Sequence, residues 1–511
     1  MASPHAGSPD TASIEKRDEA KLEGGYGIAP VLTSGQLSMA HDVATTVADD
    51  HETKRIVRKM DWHVLPICSV LYLFSFLDRS AIGNARTLGM NAELKLTASQ
   101  YAAALSIFFL LYGLLEVPSN ICLKRYGAKL WLPAIVICWG IIMLCTGFAS
   151  GFVSLFVLRL LLGGFEAGLF PGVSYLLTVL YPRKNIQLRV GIFFSAATIA
   201  GAFGGALAAG FAKVTTSQLQ GWSFIFIFEG LLTILVGVVA YFVLFDDVSK
   251  AKFLSTNEKV YYEERIRFDG SDIPMNDEFR WSFVKAAFTD WKTLFSLVTY
   301  VSTIVPLYSI ALTLPAILKT TLKYPAIESN LLTVPVYTFA AMIVILFAFL
   351  SDKYQNRAFF VILGNIMSVI GWTISHIYLV KSPWVAYGGL FIGAAGAYGG
   401  FPGVIAALTQ NLGGKTKRSV SIAINVGVGG FGGLVSSNIF FPHESPQYPT
   451  GHYINIGLAS LGAVSALCNV GLIYLANQAK QRKIDSGEAA RLTKDEISDM
   501  GDESPYFKYR Y

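Results

Sequence analysis

Six ionisable side chains stand inside long apolar stretches of this sequence: Asp78, Arg79, Glu116, Arg159, Glu166 and Glu229. A charge at the centre of a bilayer costs about 2.5–3.5 kcal/mol on insertion scales, so such residues are the first places to look for chemistry. Asp78 and Arg79 are adjacent, about 100° apart on a helix, and do not share one face. Arg is permanently charged and can hold a carboxylate bidentately. Asp can take a proton, with an affinity set by burial against the Arg charge. Together they can exchange a substrate anion and a proton; a structural ion pair at the membrane edge is the alternative. Arg159 and Glu166 are seven apart, two turns along one face, with Gly163 between them. A buried Glu166 can load and release a proton, or it can form a fold-holding salt bridge to another helix. Arg159 can bind substrate or pair with Asp78 or Glu166. Glu116, in Leu115-Glu-Val-Pro118, suits gating or capping of an inner loop. Glu229, in Phe228-Glu-Gly230, reads as a hydrogen-bonded structural residue, and His376 as a satisfied core histidine. Tyr308, Tyr398 and Asn425 are polar groups near helix-breaking Gly or Pro or inside a late span, where they can face a cavity and hydrogen-bond an anion.

The elements that must position these groups are membrane helices. The chain has 511 residues, 53% hydrophobic and only 15% charged, with a mean hydropathy of +0.48. Soluble proteins carry about 25% charged residues, so soluble domains and long disordered chains are both excluded. The apolar residues cluster into twelve spans, roughly 62–81, 99–122, 130–149, 152–180, 188–212, 222–245, 291–318, 328–350, 358–380, 384–409, 418–441 and 453–477. The fold class is therefore an all-α polytopic membrane protein. Residues 1–55 lack an apolar core of a signal peptide and read as a disordered cytosolic tail. Residues 56–245 and 289–478 are six-span halves, 246–288 a linker with 16 charged side chains, and 479–511 a second cytosolic tail. The even-numbered short loops carry eleven Lys and Arg, including Arg125, against six in the odd ones, which places both termini in the cytosol. The net charge of +6 sits at span ends, which does not suit nucleic-acid binding. The five cysteines have no metal-ligand spacing and are expected to be buried free thiols. No metal cluster, nucleophile–base set or nucleotide loop is legible, so neither an enzyme nor a cofactor is expected.

The halves are related. Gly168-Leu-Phe-Pro-Gly-Val173 matches Gly399-Gly-Phe-Pro-Gly-Val404 at an offset of 231. Gly201-Ala-Phe-Gly-Gly205 matches Gly429-Gly-Phe-Gly-Gly433, and Arg125-Tyr126 matches Lys353-Tyr354, both at 228. Each match joins span n to span n+6, so the repeat is parallel, the organisation of major facilitator transporters. Glycines at such positions let helices approach closely. The charges are unequal between the halves: Ala397 stands where the first half has Glu166. That asymmetry predicts ion coupling in the first half and substrate shape in the second.

Several stretches carry a family resemblance: Phe76-Leu-Asp-Arg-Ser-Ala-Ile-Gly-Asn84, Gly113-Leu-Leu-Glu-Val-Pro-Ser-Asn120, Phe165-Glu-Ala-Gly-Leu-Phe-Pro-Gly172 and Phe194-Ser-Ala-Ala-Thr-Ile-Ala-Gly-Ala-Phe-Gly-Gly205. Across about residues 60–480 the chain resembles the anion:cation symporter branch of the major facilitator superfamily, and most of all the fungal allantoate, nicotinate and pantothenate permease group. The resemblance implies proton-coupled uptake of a small organic anion, with Asp78 and Glu166 as proton-linked carboxylates and Arg79 as the anion-binding arginine. It implies protons, the anion and the lipid bilayer as partners, a monomer, and the plasma membrane as location. There are departures. The loop after the second span reads Lys124-Arg-Tyr-Gly-Ala-Lys129, with Lys where the superfamily usually has Asp. Its second copy, Asp352-Lys-Tyr-Gln-Asn-Arg357, keeps the Asp and loses the Gly; Arg125 and Asp352 are the gating candidates of these loops. The same parts can run outward, so an exporter or proton antiporter stays open, as does, more remotely, a non-transporting nutrient receptor.

Overall fold

A backbone in hydrocarbon must satisfy its own N–H and C=O groups, so each apolar run is expected to form an α-helix. The computed structural model describes residues 34–182, 186–211, 214, 219–267, 281–322 and 324–511. Twelve of its helices are long and apolar enough to cross a membrane: α1 (His51–Thr87), α2 (Ala98–Tyr126), α3 (Ala128–Thr146), α4 (Phe152–Leu180), α5 (Ile186–Phe211), α6 (Gly221–Val243), α7 (Trp291–Pro315), α8 (Ile327–Tyr354), α9 (Arg357–Tyr378), α10 (Pro383–Gln410), α11 (Thr416–Asn438) and α12 (Pro449–Asp485). They match the twelve expected spans one for one, and no strand occurs among the described residues. Of the expected N-terminal tail, residues 1–33 lie outside the described residues. The linker carries helices Thr256–Arg267 and Trp281–Thr289; residues 268–280 between them lie outside the described residues.

The two halves meet reciprocally: α2 packs on α11, and α5 on α8. The repeated glycines sit at these crossings, Gly205 against the Asn330 carbonyl and Gly433 against the Phe109 ring. Polar contacts join the halves at both ends. At the end where α5 begins, Ser351 Oγ donates to Gln187 Oε1 at 2.7 Å and the Leu188 N–H donates to Asp352 Oδ2 at 2.8 Å. At the opposite end, Asn330 Nδ2 donates to Thr87 Oγ1 at 3.1 Å and Asn438 Nδ2 to Ser106 Oγ at 2.8 Å.

All five cysteines are free, but only Cys68 is buried; Cys145 and Cys468 are exposed on the outer helix faces, contrary to the expectation of burial. The segment after residue 478 is also not simply a loose polar tail. Asp502 is buried between Lys292 (2.7 Å) and Lys417 (3.0 Å). Asn411 and Asn477 each exchange two hydrogen bonds with the backbone, of Arg510 and Tyr509 respectively. Burial alone would raise the Asp502 carboxyl, but the two lysines outweigh it and hold it below the usual carboxylate range. This contribution to stability is present above the ordinary Asp value and lost only as pH falls through the lowered one. At neutral pH the segment stays pinned to α7, α10, α11 and α12.

Candidate functional site

α4 is broken where the site lies. Its first part ends at Glu166, and its second starts at Leu169. Gly168 between them has φ +89°, and a Cβ there would meet Ser119 Oγ at 2.0 Å, so only glycine fits. Glu116 of α2 accepts a long 3.4 Å bond from the Gly168 N–H, placing a carboxylate at the positive end of the second part. The break turns Glu166 towards α1. There it forms a buried ion pair with Arg79, whose Nε reaches Glu166 Oε1 at 3.2 Å and whose Nη2 also bonds it. Ser75, one turn before Arg79, donates to the same oxygen at 2.6 Å. Glu166 Oε2 is buried without a hydrogen-bond partner among the described residues.

The guanidinium is held from both halves. Arg79 Nη1 donates to the Tyr308 hydroxyl of α7. The guanidinium carbon lies 4.6 Å from the Tyr112 ring centre, 5.3 Å from Phe108 and 5.7 Å from Tyr308. Beside this pair, aromatic rings from both halves pack into a layer of tilted and edge-on contacts: Phe194 with Phe401 (4.6 Å), Phe170 with Phe401 (5.8 Å) and Phe76 with Tyr398 (6.3 Å). A buried guanidinium such as that of Arg79 can hold a carboxylate through charge-assisted hydrogen bonds.

The family model described as Major Facilitator Superfamily matches residues 68–437, most of the chain. The chain belongs to the major facilitator superfamily. It is a multi-pass membrane transporter. It is 33% identical to "MFS-type transporter cnsO" of Penicillium expansum, over 94% of this chain and 98% of that protein. It is 29% identical to "Major facilitator-type transporter hxnP" of Emericella nidulans, over 90% and 94% respectively. Among solved structures, the proton:xylose symporter XylE bound to 6-bromo-6-deoxy-D-glucose shares the fold, with a TM-score of 0.62 and 14% identity over 80% of this chain and 95% of that one.

In this transporter Asp78 and Arg79 part company. Asp78 faces the interior of the first half, where its Oδ2 accepts from Trp139 Nε1 (3.1 Å) and Thr233 Oγ1 (3.0 Å). Arg159, 2% exposed, lies 5.6 Å from the Phe226 ring and within electrostatic reach of Asp78, Glu166 and Glu229. Its Nε and Nη2 have no hydrogen-bond partner among the described residues. Glu229 differs from the expectation of a hydrogen-bonded residue: both its oxygens are buried and have no hydrogen-bond partner among the described residues. Tyr398 is buried in the aromatic layer. Asn425 is buried with Nδ2 on the Ser421 carbonyl (3.1 Å). Asp352 lies at the interface between halves, whereas Arg125 is exposed over Tyr126. His376 is half-buried and bonds the Tyr453 hydroxyl at 3.1 Å.

Sequence reasoning missed Ser75, Tyr112, Trp139 and Thr233. Ser75 was findable, because it precedes Arg79 by four residues and so shares its face. Phe108, Tyr112 and Glu116 likewise form a four-residue stripe on α2. Trp139 and Thr233 carry no local signal; only the packing of α3 and α6 on α1 brings them to Asp78.

Proposed function

We propose that this transporter is a proton-coupled importer of a small organic anion, a carboxylate or vitamin of the nicotinate, pantothenate or allantoate class, belonging to the anion:cation symporter branch. The observation that carries this reading is the buried Arg79–Glu166 pair, held from the opposite half by Tyr308. Protonation of Glu166 releases Arg79, which then receives the substrate carboxylate. With the charge neutralised, the halves rock around the loaded site, and Tyr308 reports the loading to the second half. Tyr398 and Asn425 contribute to the substrate surface; Asp352 and Glu116 act in gating. The protein works as a monomer in the plasma membrane with both termini cytosolic.

Uptake of labelled nicotinate, pantothenate, biotin, allantoate and short dicarboxylates into yeast lacking its own carriers tests this. The expected result is accumulation of at least one acid that rises at acidic pH, collapses with a protonophore and is lost in Arg79→Ala. Cells that instead retain less acid than carrier-free controls would make the protein an exporter.

A further inference from the structure

The first half holds a second set of buried charges that the anion-exchange step does not use. Phe226, Glu229 and Thr233 lie at spacing i, i+3 and i+7, one face of α6. Arg159 packs on Phe226, and Thr233 bonds Asp78, so this face of α6 brings Glu229 to both. Asp78 and Glu229 are fully buried and Arg159 nearly so. Among the described residues, Asp78 Oδ1, both Glu229 oxygens, and Arg159 Nε and Nη2 have no hydrogen-bond partner.

The charges do not balance. Arg79 is already committed to Glu166, which leaves one cation, Arg159, for two carboxyls. An uncompensated ion in so dry a place is costly, and binding a proton removes it. Among the other groups, Glu166 is within electrostatic reach of Asp78 and Arg159, and Tyr101 of Arg159. α3 and α5, which pack on α6, carry only Lys129 and Arg189 as charged residues; these sit at the helix starts beside Asp246 and Asp61, far from the cluster. We propose that Asp78 and Glu229 hold one proton between them, with Arg159 as shared counter-charge, as a second proton-binding site inside the first half. The proton rests on Glu229, because Asp78 accepts two hydrogen bonds that favour its ionised form and Glu229 accepts none. Its role in transport rests on the proton-coupled reading above; its occupancy does not.

The test is infrared spectroscopy of the full-length protein in lipid at neutral pH, in water and deuterated water, following the carbonyl band of a protonated carboxylic acid. That band is expected to lose one carboxyl's intensity in Glu229→Gln. It should lose the same in Asp78→Asn, although Glu229 is still present, because Arg159 then balances an ionised Glu229. Glu166→Gln should leave it unchanged. A band that keeps its full intensity in either Glu229→Gln or Asp78→Asn overturns the proposal. If one variant fails to fold, the other decides alone. Uptake that proves independent of pH would sink the proton-coupled reading while leaving the band where it is.

Discussion

Replacing Arg79 by Gln is expected to abolish anion transport and to destabilise the protein by about 3–5 kcal/mol, the usual cost of leaving one member of a buried ion pair alone. Glu166 would remain in place with only Ser75 to bond it. The loss should shrink as pH falls, because protonating Glu166 removes the orphaned charge; its sign therefore identifies the carboxylate as its source. Glu166→Gln should cost a similar amount at all pH values, since Arg79 does not titrate. The double substitution, which removes both charges, should be less destabilised than the sum of the two singles. Thermal unfolding in lipid nanodiscs across a pH series measures all three. Additive losses with no pH dependence would mean that the pair is not an interacting ion pair in the folded protein.

Gly163→Val is expected to leave almost no folded protein. A Cβ at Gly163 would lie 2.0 Å from the Phe108 carbonyl oxygen, and the obstacle is backbone that cannot turn aside. Overpacking usually costs about 1–3 kcal/mol, and a backbone clash sits at or beyond the top of that range. The damage would fall on the site, because Phe108 flanks Arg79 and Gly163 stands three residues before Glu166. Gly210, with nothing within 4 Å of the same added atom, is the control, and Gly210→Ala should change stability by less than about 0.5 kcal/mol. Surface expression and monodispersity after extraction distinguish the two. A well-folded Gly163→Val would show that α2 and α4 cross further apart.

The twelve helices and their parallel repeat were legible because apolar length and a fixed offset are local or periodic signals. The candidate charges were legible for the same reason: an ion in an apolar run is conspicuous. Their partners were not. Asp78 and Arg79 are neighbours in sequence, yet 100° of helical rotation sends one to Trp139 and Thr233 inside the first half and the other to Glu166 and Tyr308 at the interface. Arg159 and Glu166 share a helix face by spacing, but α4 breaks immediately after Glu166 and the two side chains serve different clusters. The break itself had a sequence cue in Gly168 and Pro171, although its angle depends on Ser119 and Glu116 from α2. The docking of residues 502–511 was illegible because it depends on lysines from three separate helices converging on one Asp.

The most direct measurement is the proton balance of anion binding. Purified protein in a weakly buffered solution with a pH indicator is titrated with the carboxylate that gives the strongest uptake. If Glu166 and the substrate compete for Arg79, one proton should be taken up per anion bound, and affinity should weaken as pH rises. Glu166→Gln should bind the anion with no proton uptake and no pH dependence. Anion binding without proton uptake in the wild type, or unchanged uptake in Glu166→Gln, would contradict the exchange at Arg79.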